Sequence, residues 1–239
     1  MVGMRQLELY MWVGQRRLVL ERHDFYVEQV KARVLAQFQD VAGEAERHSE
    51  AEYERLGSLP GDEGSDMVEI AEIASDKGQV FYSLLSDLKK QMLLGALAGL
   101  YHQWDKDLRD FVERELRQHL KPTDAGKIAW DPNVGNVFDM LAEFGWDCRC
   151  AAFFRRIDAC RLVVNGYKHG KGRSLDDLGT RYPEYLDDGF TKGTSWLLAP
   201  GYLDHEWLSI SEPQFDEIAD ALRQFWVEFP ERLYLDRPP

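Results

Sequence analysis

Apolar side chains recur at intervals of three and four residues along two long stretches, which is the spacing of one helix face. The stretches cover residues 18–56 and 66–120. The positions that keep the first period are Val27, Val30, Val34, Phe38, Val41 and Ala45. Glycines and a proline between Gly57 and Gly64 indicate a turn. The pattern therefore predicts two long antiparallel helices.

The second half of the chain predicts shorter elements. Residues 122–132, bounded by prolines, are predicted to be a linker, and residues 133–144 a short helix closed by Gly145. Residues 152–169 form the next predicted helix, which the glycines just beyond its C-terminus end.

Beyond Arg173 the sequence is rich in glycine, proline, aspartate and aromatic residues, which predicts an ordered loop region. Trp207 to Ser211 alternates weakly and is a candidate short strand. Ser211 and Gln214 have the spacing of a capping box, which predicts a final helix over residues 212–229, stopped by Pro230.

Strand signals are nearly absent, so the predicted class is all-α: an antiparallel bundle of long helices with a C-terminal loop-and-helix appendage. We expect a helical bundle over residues 1–178 and an acidic C-terminal region, 179–239, packed on the same domain. The residues expected in the core are Val30, Val34, Leu84, Leu88, Val163 and Tyr167.

The composition is that of a folded protein, since 44% of its 239 residues are hydrophobic. The longest apolar run, Met92 to Tyr101, is about half the length that a membrane-spanning helix needs. The first residues lack the basic and apolar regions of a secretory signal. We therefore expect a soluble, cytoplasmic protein with no membrane partner.

Cysteine usage does not indicate a disulfide framework or a metal site. Cys148 and Cys150 are separated by one residue and have no second cysteine pair nearby in the sequence, and Cys160 lies in the predicted helix. A zinc site would need a second pair of ligands at suitable spacing. The sequence predicts no metal and no cofactor, and the cysteines are interpreted as small apolar core residues.

The net charge of −13 argues against general binding of nucleic acids. However, residues 149–173 contain seven Lys or Arg and one acid, whereas residues 174–239 contain five Lys or Arg and fourteen acids. Either this basic island pairs with the acidic tail, or it binds an anion. The candidate substrate-binding residues in the island are Arg155, Arg156, Lys171 and Arg173.

One face of the predicted helix 152–169 carries five different polar groups at helical spacing. They are Asp158, Arg161, Asn165, Lys168 and His169. The opposite arc is apolar and consists of Ile157, Cys160, Val163, Val164 and Tyr167. A structural alternative is that Arg161 pairs with Asp158 and that the last two residues cap the helix C-terminus.

A second polar face combines His102, Asp105 and Arg109 in the segment 101–119. These three residues are secondary candidates for a functional site. The ordinary alternative is that they form ion pairs along a solvated helix.

Nucleotide-binding loops, a nucleophile elbow and zinc-peptidase motifs are missing from the sequence. The polar face instead suits a metal-independent ribonuclease, which needs a proton acceptor, cations on the phosphate and a proton donor. The candidate catalytic residues are Arg161, Asn165, Lys168 and His169.

A long helical bundle that ends in a helix with an Arg, a polar residue and a His resembles the "higher eukaryotes and prokaryotes nucleotide-binding" (HEPN) domains. Arg161 would match the motif arginine and His169 the motif histidine, with seven residues between them and Leu162 directly after the arginine. Asn165 is the candidate for the polar position. The resemblance covers residues 18–178.

The resemblance implies an α-helical homodimer, with the helices over residues 158–169 near the two-fold axis. It also implies an endoribonuclease of toxin–antitoxin or phage-defence type, with RNA as substrate and an antitoxin or defence-system protein as partner. The alternative is a non-catalytic helical module that binds a partner protein or a nucleotide with the same helix.

Overall fold

The structure is a computed structural model that describes residues 7–58, 67–187 and 203–235. It is mainly all-α, as predicted. The helices are α1 (Val13–Arg33), α2 (Val41–Gly57), α3 (Met67–Leu116), α4 (Pro122–Ala129), α5 (Val134–Glu143), α6 (Phe154–His169), α7 (Arg173–Arg181) and α8 (Glu212–Glu228). None of the helices in the described residues is long and apolar enough to cross a membrane.

The predicted helix over residues 18–56 is wrong as a single element. The helix α1 ends at Arg33, a 3-10 turn covers Leu35–Phe38, and α2 begins after Asp40. The Asp40 carboxylate accepts a hydrogen bond from the Gly43 amide at 3.2 Å and so caps the new helix. The apolar period continues across the break, which hid it from the sequence pattern.

The predicted linker over residues 122–132 is also wrong in large part, because it contains α4. Pro122 occupies the first turn of α4, where its missing amide hydrogen costs nothing. The helices α5, α6 and α8 agree with their predicted ranges to within two residues. The capping box of Ser211 and Gln214 is confirmed, with both reciprocal hydrogen bonds present.

Two short strands form a small sheet that the sequence did not predict. Strand β1 (Leu7–Tyr10) pairs antiparallel with β2 (Arg232–Leu235). The predicted strand from Trp207 to Ser211 is instead a 3-10 turn followed by one isolated bridge between Leu208 and Leu186. Pairing partners more than 200 residues apart leave no local signal.

The chain divides into two compact units. The larger unit combines residues 1–27 with 96–239, and the smaller unit covers residues 28–95. The helix α8 belongs to the same unit as α6.

The core of the larger unit is an aromatic cluster around Phe225. The Phe225 ring lies 4.9 Å from Trp104, 5.1 Å from Trp146 and 5.8 Å from Phe229, measured between ring centroids. The residues of α8 that face this cluster are all buried: Phe215, Ile218, Leu222, Phe225 and Trp226. The α8 helix is therefore a central part of this core.

The smaller unit contains α2 and the first part of α3, packed antiparallel. Gly78 faces Ser49, because a Cβ added at Gly78 would lie 2.8 Å from the Ser49 Cβ. The His48 ring stacks on Phe81 at 4.4 Å. Leu84 and Leu88 were predicted to be buried, and this is wrong: they are 62% and 43% exposed, since α2 covers a different side of α3. Val30 is buried, whereas Val34 is half-buried.

Candidate functional site

The helix α6 is enclosed on most of its circumference. Ile157, Cys160, Val163 and Val164 of the predicted apolar arc are buried, and Tyr167 is half-buried. Leu162 and Gly166 are buried as well. The exposed part of the polar face is therefore restricted to the C-terminal end of the helix, where Lys168 and His169 are exposed and Asn165 is half-buried.

The Asp158 carboxylate is buried, and three hydrogen-bond donors contact it. Arg161 donates to Oδ1 at 2.7 Å, the Tyr182 hydroxyl donates to Oδ2 at 2.9 Å, and Arg181 lies 2.5 Å from Oδ2. Burial acts to raise the pKa of Asp158, but the hydrogen bonds and the two guanidinium charges outweigh it and hold the pKa below its usual range. Asp158 is therefore a carboxylate anchor between α6 and the end of α7.

Arg161 is thereby committed to an ion pair inside the fold. The alternative of an i, i+3 pair between Arg161 and Asp158 is what the structure contains. The Arg161 side chain remains 29% exposed, so part of its guanidinium still faces solvent.

Three arginines of the basic island pair with acids of the acidic tail. Arg155 lies 2.7 Å from Glu184, and Arg156 lies 3.1 Å from Glu217. Arg173 makes only a long, exposed contact with Asp177 at 3.6 Å. Pairing of island and tail therefore accounts for two close ion pairs and one long one, out of seven basic residues in the island.

Gly170 ends α6 with a φ of +78°, a conformation that favours glycine. Its carbonyl accepts a hydrogen bond from the His205 amide at 2.9 Å, and Lys171 forms an isolated antiparallel bridge with Asp204. A Cβ placed at Gly170 would lie 3.7 Å from Nδ1 of His205, so this imidazole lies beside the residue that follows His169.

His205 was missed by sequence reasoning. It lies in a loop more than thirty residues from α6, in a segment without periodicity. The Asp204 carboxylate accepts the Glu206 amide at 3.0 Å and starts the short 3-10 turn that carries His205. That Asx turn, visible as Asp followed two residues later by Glu, is too common to have identified the histidine.

The second polar face, which carries His102, Asp105 and Arg109, mainly makes structural contacts. Arg109 is buried, pairs with Asp105 at 2.9 Å and donates to the Ala129 and Asp131 carbonyls at 3.0 and 2.6 Å. It therefore ties α3 to the connection between α4 and α5. His102 is half-buried, and burial, followed by the charge of Lys168, lowers its pKa.

The cysteines differ in their surroundings. Cys148 and Cys160 are buried, as predicted, whereas Cys150 is exposed. Burial raises the pKa of Cys148 to about 12. In the part of the chain that the structure describes, no group of three or more His, Cys, Asp or Glu side chains has the arrangement of a metal site.

The chain matches no protein-family model, no curated protein and no solved structure. The end of α6 combines an exposed imidazole and ammonium (His169 and Lys168) with a second imidazole beside Gly170 (His205). Such a set of groups can transfer protons and neutralise an anion.

Proposed function

We propose that the chain is a metal-independent endoribonuclease whose active site is the exposed end of α6. The observation that supports this best is the position of His205: its amide donates to the Gly170 carbonyl at 2.9 Å, and its Nδ1 lies 3.7 Å from where a Cβ at Gly170 would be, directly after His169. Two imidazoles can act as the proton acceptor and the proton donor that RNA cleavage needs.

The proposed reaction is an internal transesterification. One imidazole takes the proton of the ribose 2′-hydroxyl, and the 2′-oxygen forms a bond to phosphorus. The bond from phosphorus to the 5′-oxygen breaks, and the second imidazolium gives its proton to that oxygen. The products are a 2′,3′-cyclic phosphate and a 5′-hydroxyl, and no oxidant, reductant or metal takes part.

Lys168 and Lys171 are assigned to the phosphate. Both are exposed, and within the described ranges neither side chain forms an ion pair with an acid. Their positive charge would stabilise the negative charge that builds on the phosphate oxygens. Asn165, one turn before His169 on α6, is assigned to a phosphate oxygen or to orienting the imidazole.

His102 on α3 is half-buried, and burial lowers its pKa by disfavouring the charged imidazolium. Arg161 has a smaller part than the HEPN resemblance implies, because Asp158 already holds its guanidinium.

The test is cleavage of total and transfer RNA by the purified protein in excess EDTA, with detection of cyclic phosphate ends. His169→Ala and His205→Ala should each lower the rate by about 10²–10⁴-fold. His119→Ala is the matched control, because His119 is exposed and follows α3 in the sequence rather than α6. Equal rates for the parent and His169→Ala, or no cleavage under any condition, would refute the proposal.

A second candidate is a non-catalytic module that binds a partner protein, such as an antitoxin or another defence-system component. The observation that favours it is that Asp158 holds the candidate motif arginine, so that Lys168 and His169 in the last turn of α6 are the fully exposed residues of the polar face. This candidate predicts that the protein binds an RNA oligonucleotide or a partner protein without cleaving RNA. Lys168→Ala should weaken that binding.

A further inference from the structure

A row of large apolar side chains lies exposed on the part of α3 that belongs to the smaller unit. Each is at least 40% exposed: Ile73 40%, Val80 59%, Leu84 62%, Leu88 43% and Met92 41%. At 100° per residue these positions fall within an arc of about 120°, which is the width of a face that normally packs against another helix. We call it the α3 face.

Within residues 28–58 and 67–95, the described part of the smaller unit, α2 covers only one edge of this face. There Ala74 is buried and Phe81 stacks on His48, whereas the five side chains named above stay exposed. In the described part of the unit, the buried apolar residues are Val30, Leu35, Ala45, Ala74, Leu93 and Leu94. These six residues are a small hydrophobic core for a unit of 68 residues. Packing of a further helical layer against the unit would therefore increase its stability.

We propose that the α3 face binds the same face of a second copy of this chain. From Ile73 to Met92 the face is roughly 30 Å long at 1.5 Å per residue. Covering its five side chains removes on the order of 450 Å² of apolar surface per copy, and the neighbouring residues bring the total near the 1,200 Å² of a stable interface. A two-fold axis lets one face serve both copies.

The charges on the α3 face agree with self-association. The exposed ionisable residues within its arc or at its margin are Lys77 and Asp87, one of each sign. Two copies therefore bring no excess of like charge together along the face, although the chain as a whole carries −13. Two α2–α3 hairpins joined in this way form a four-helix arrangement with a shared apolar interior.

The experiment measures the molar mass of the full chain by light scattering and sedimentation between about 1 and 100 µM. The parent should be a dimer, and Leu84→Glu should raise the dimer dissociation constant by roughly a hundredfold or more, since each copy buries one new charge. Tyr82→Glu is the matched control, because Tyr82 is 49% exposed but lies about 160° around α3 from Leu84.

A monomeric parent, or equal weakening by Leu84→Glu and Tyr82→Glu, would overturn the proposal. Helicity by circular dichroism checks the fold of the variants, which should persist because Leu84 is mostly exposed within one copy. As a second measurement, Leu84→Cys in a Cys150→Ser background should form a covalent dimer on mild oxidation. If Lys168→Glu dissociates the dimer and Leu84→Glu does not, the interface lies at α6 instead, and the proposal fails.

Discussion

The sequence pattern places Asp158 on the polar face of its helix, where a substitution would cost little. In the structure, replacing Asp158 should strongly destabilise the larger unit. The residue is 8% exposed and accepts hydrogen bonds from Arg161 and from the Tyr182 hydroxyl, with Arg181 also in contact. Asp158→Ala leaves two guanidinium groups and a buried hydroxyl without their acceptor.

The magnitude follows from the exposure of the donors. Removing one partner of a fully buried ion pair costs about 3–5 kcal/mol, and an orphaned buried hydroxyl costs about 1–3 kcal/mol. The side chains of Arg161 and Arg181 are 29% and 48% exposed, so water can replace part of what they lose. We therefore expect about 2–4 kcal/mol for Asp158→Ala, and about half of that for Asp158→Asn.

The assay is urea unfolding followed by tryptophan fluorescence, because Trp104 and Trp226 lie in the aromatic core of the same unit. The matched control is Asp177→Ala, which removes the exposed pair with Arg173 and should cost at most about 0.5 kcal/mol. If the two variants differ from the parent by the same small amount, the Asp158 cluster does not stabilise the fold.

The stabilisation that Asp158 provides should also depend on pH. The pKa of Asp158 is lowered in the folded state, so its stabilisation is complete above the unfolded value of about 3.9 and is lost as the pH falls through the folded value. The difference in the free energy of unfolding between the parent and Asp158→Asn should therefore be constant from pH 5 to 7 and shrink below about pH 4. A difference that grows on acidification would contradict this sign.

Three further predictions concern the core and the thiols. Phe225→Ala should lower the free energy of unfolding by about 3–5 kcal/mol in the same urea assay, whereas Phe25→Ala, at a side chain that is 64% exposed, should change it by less than about 0.5 kcal/mol. Gly99→Ala should lower the free energy of unfolding by about 1–3 kcal/mol, because its Cβ would overlap the Tyr26 hydroxyl, which donates to the Ala96 carbonyl. The control is Gly57→Ala, since Gly57 has open space around it. Equal effects of the two substitutions would disprove the close approach of Gly99 and Tyr26. A thiol reagent at pH 8 should label Cys150 quickly and Cys148 and Cys160 only after unfolding, since burial raises the pKa of both; rapid labelling of all three would show that the core opens.

The sequence by itself determined those elements whose signals are local. The helix α6 ends at Gly170 because a glycine there can adopt a positive φ, and α8 begins at Ser211 because a hydroxyl and an amide three residues apart cap each other. Both rules depend on neighbouring residues only. The ion pair of Arg161 with Asp158 was visible for the same reason, since residues three apart on a helix are neighbours.

Only the tertiary structure decided which apolar positions are covered and which polar residues meet. Leu84 and Val163 follow the same periodicity, yet one is 62% exposed and the other 1%, because burial depends on what packs against a helix and not on its own pattern. His205 reaches Gly170, and Tyr182 and Arg181 reach Asp158, through turns of the chain that bring distant segments together. Periodicity encodes a face of a helix, whereas a site requires the three-dimensional path of the backbone.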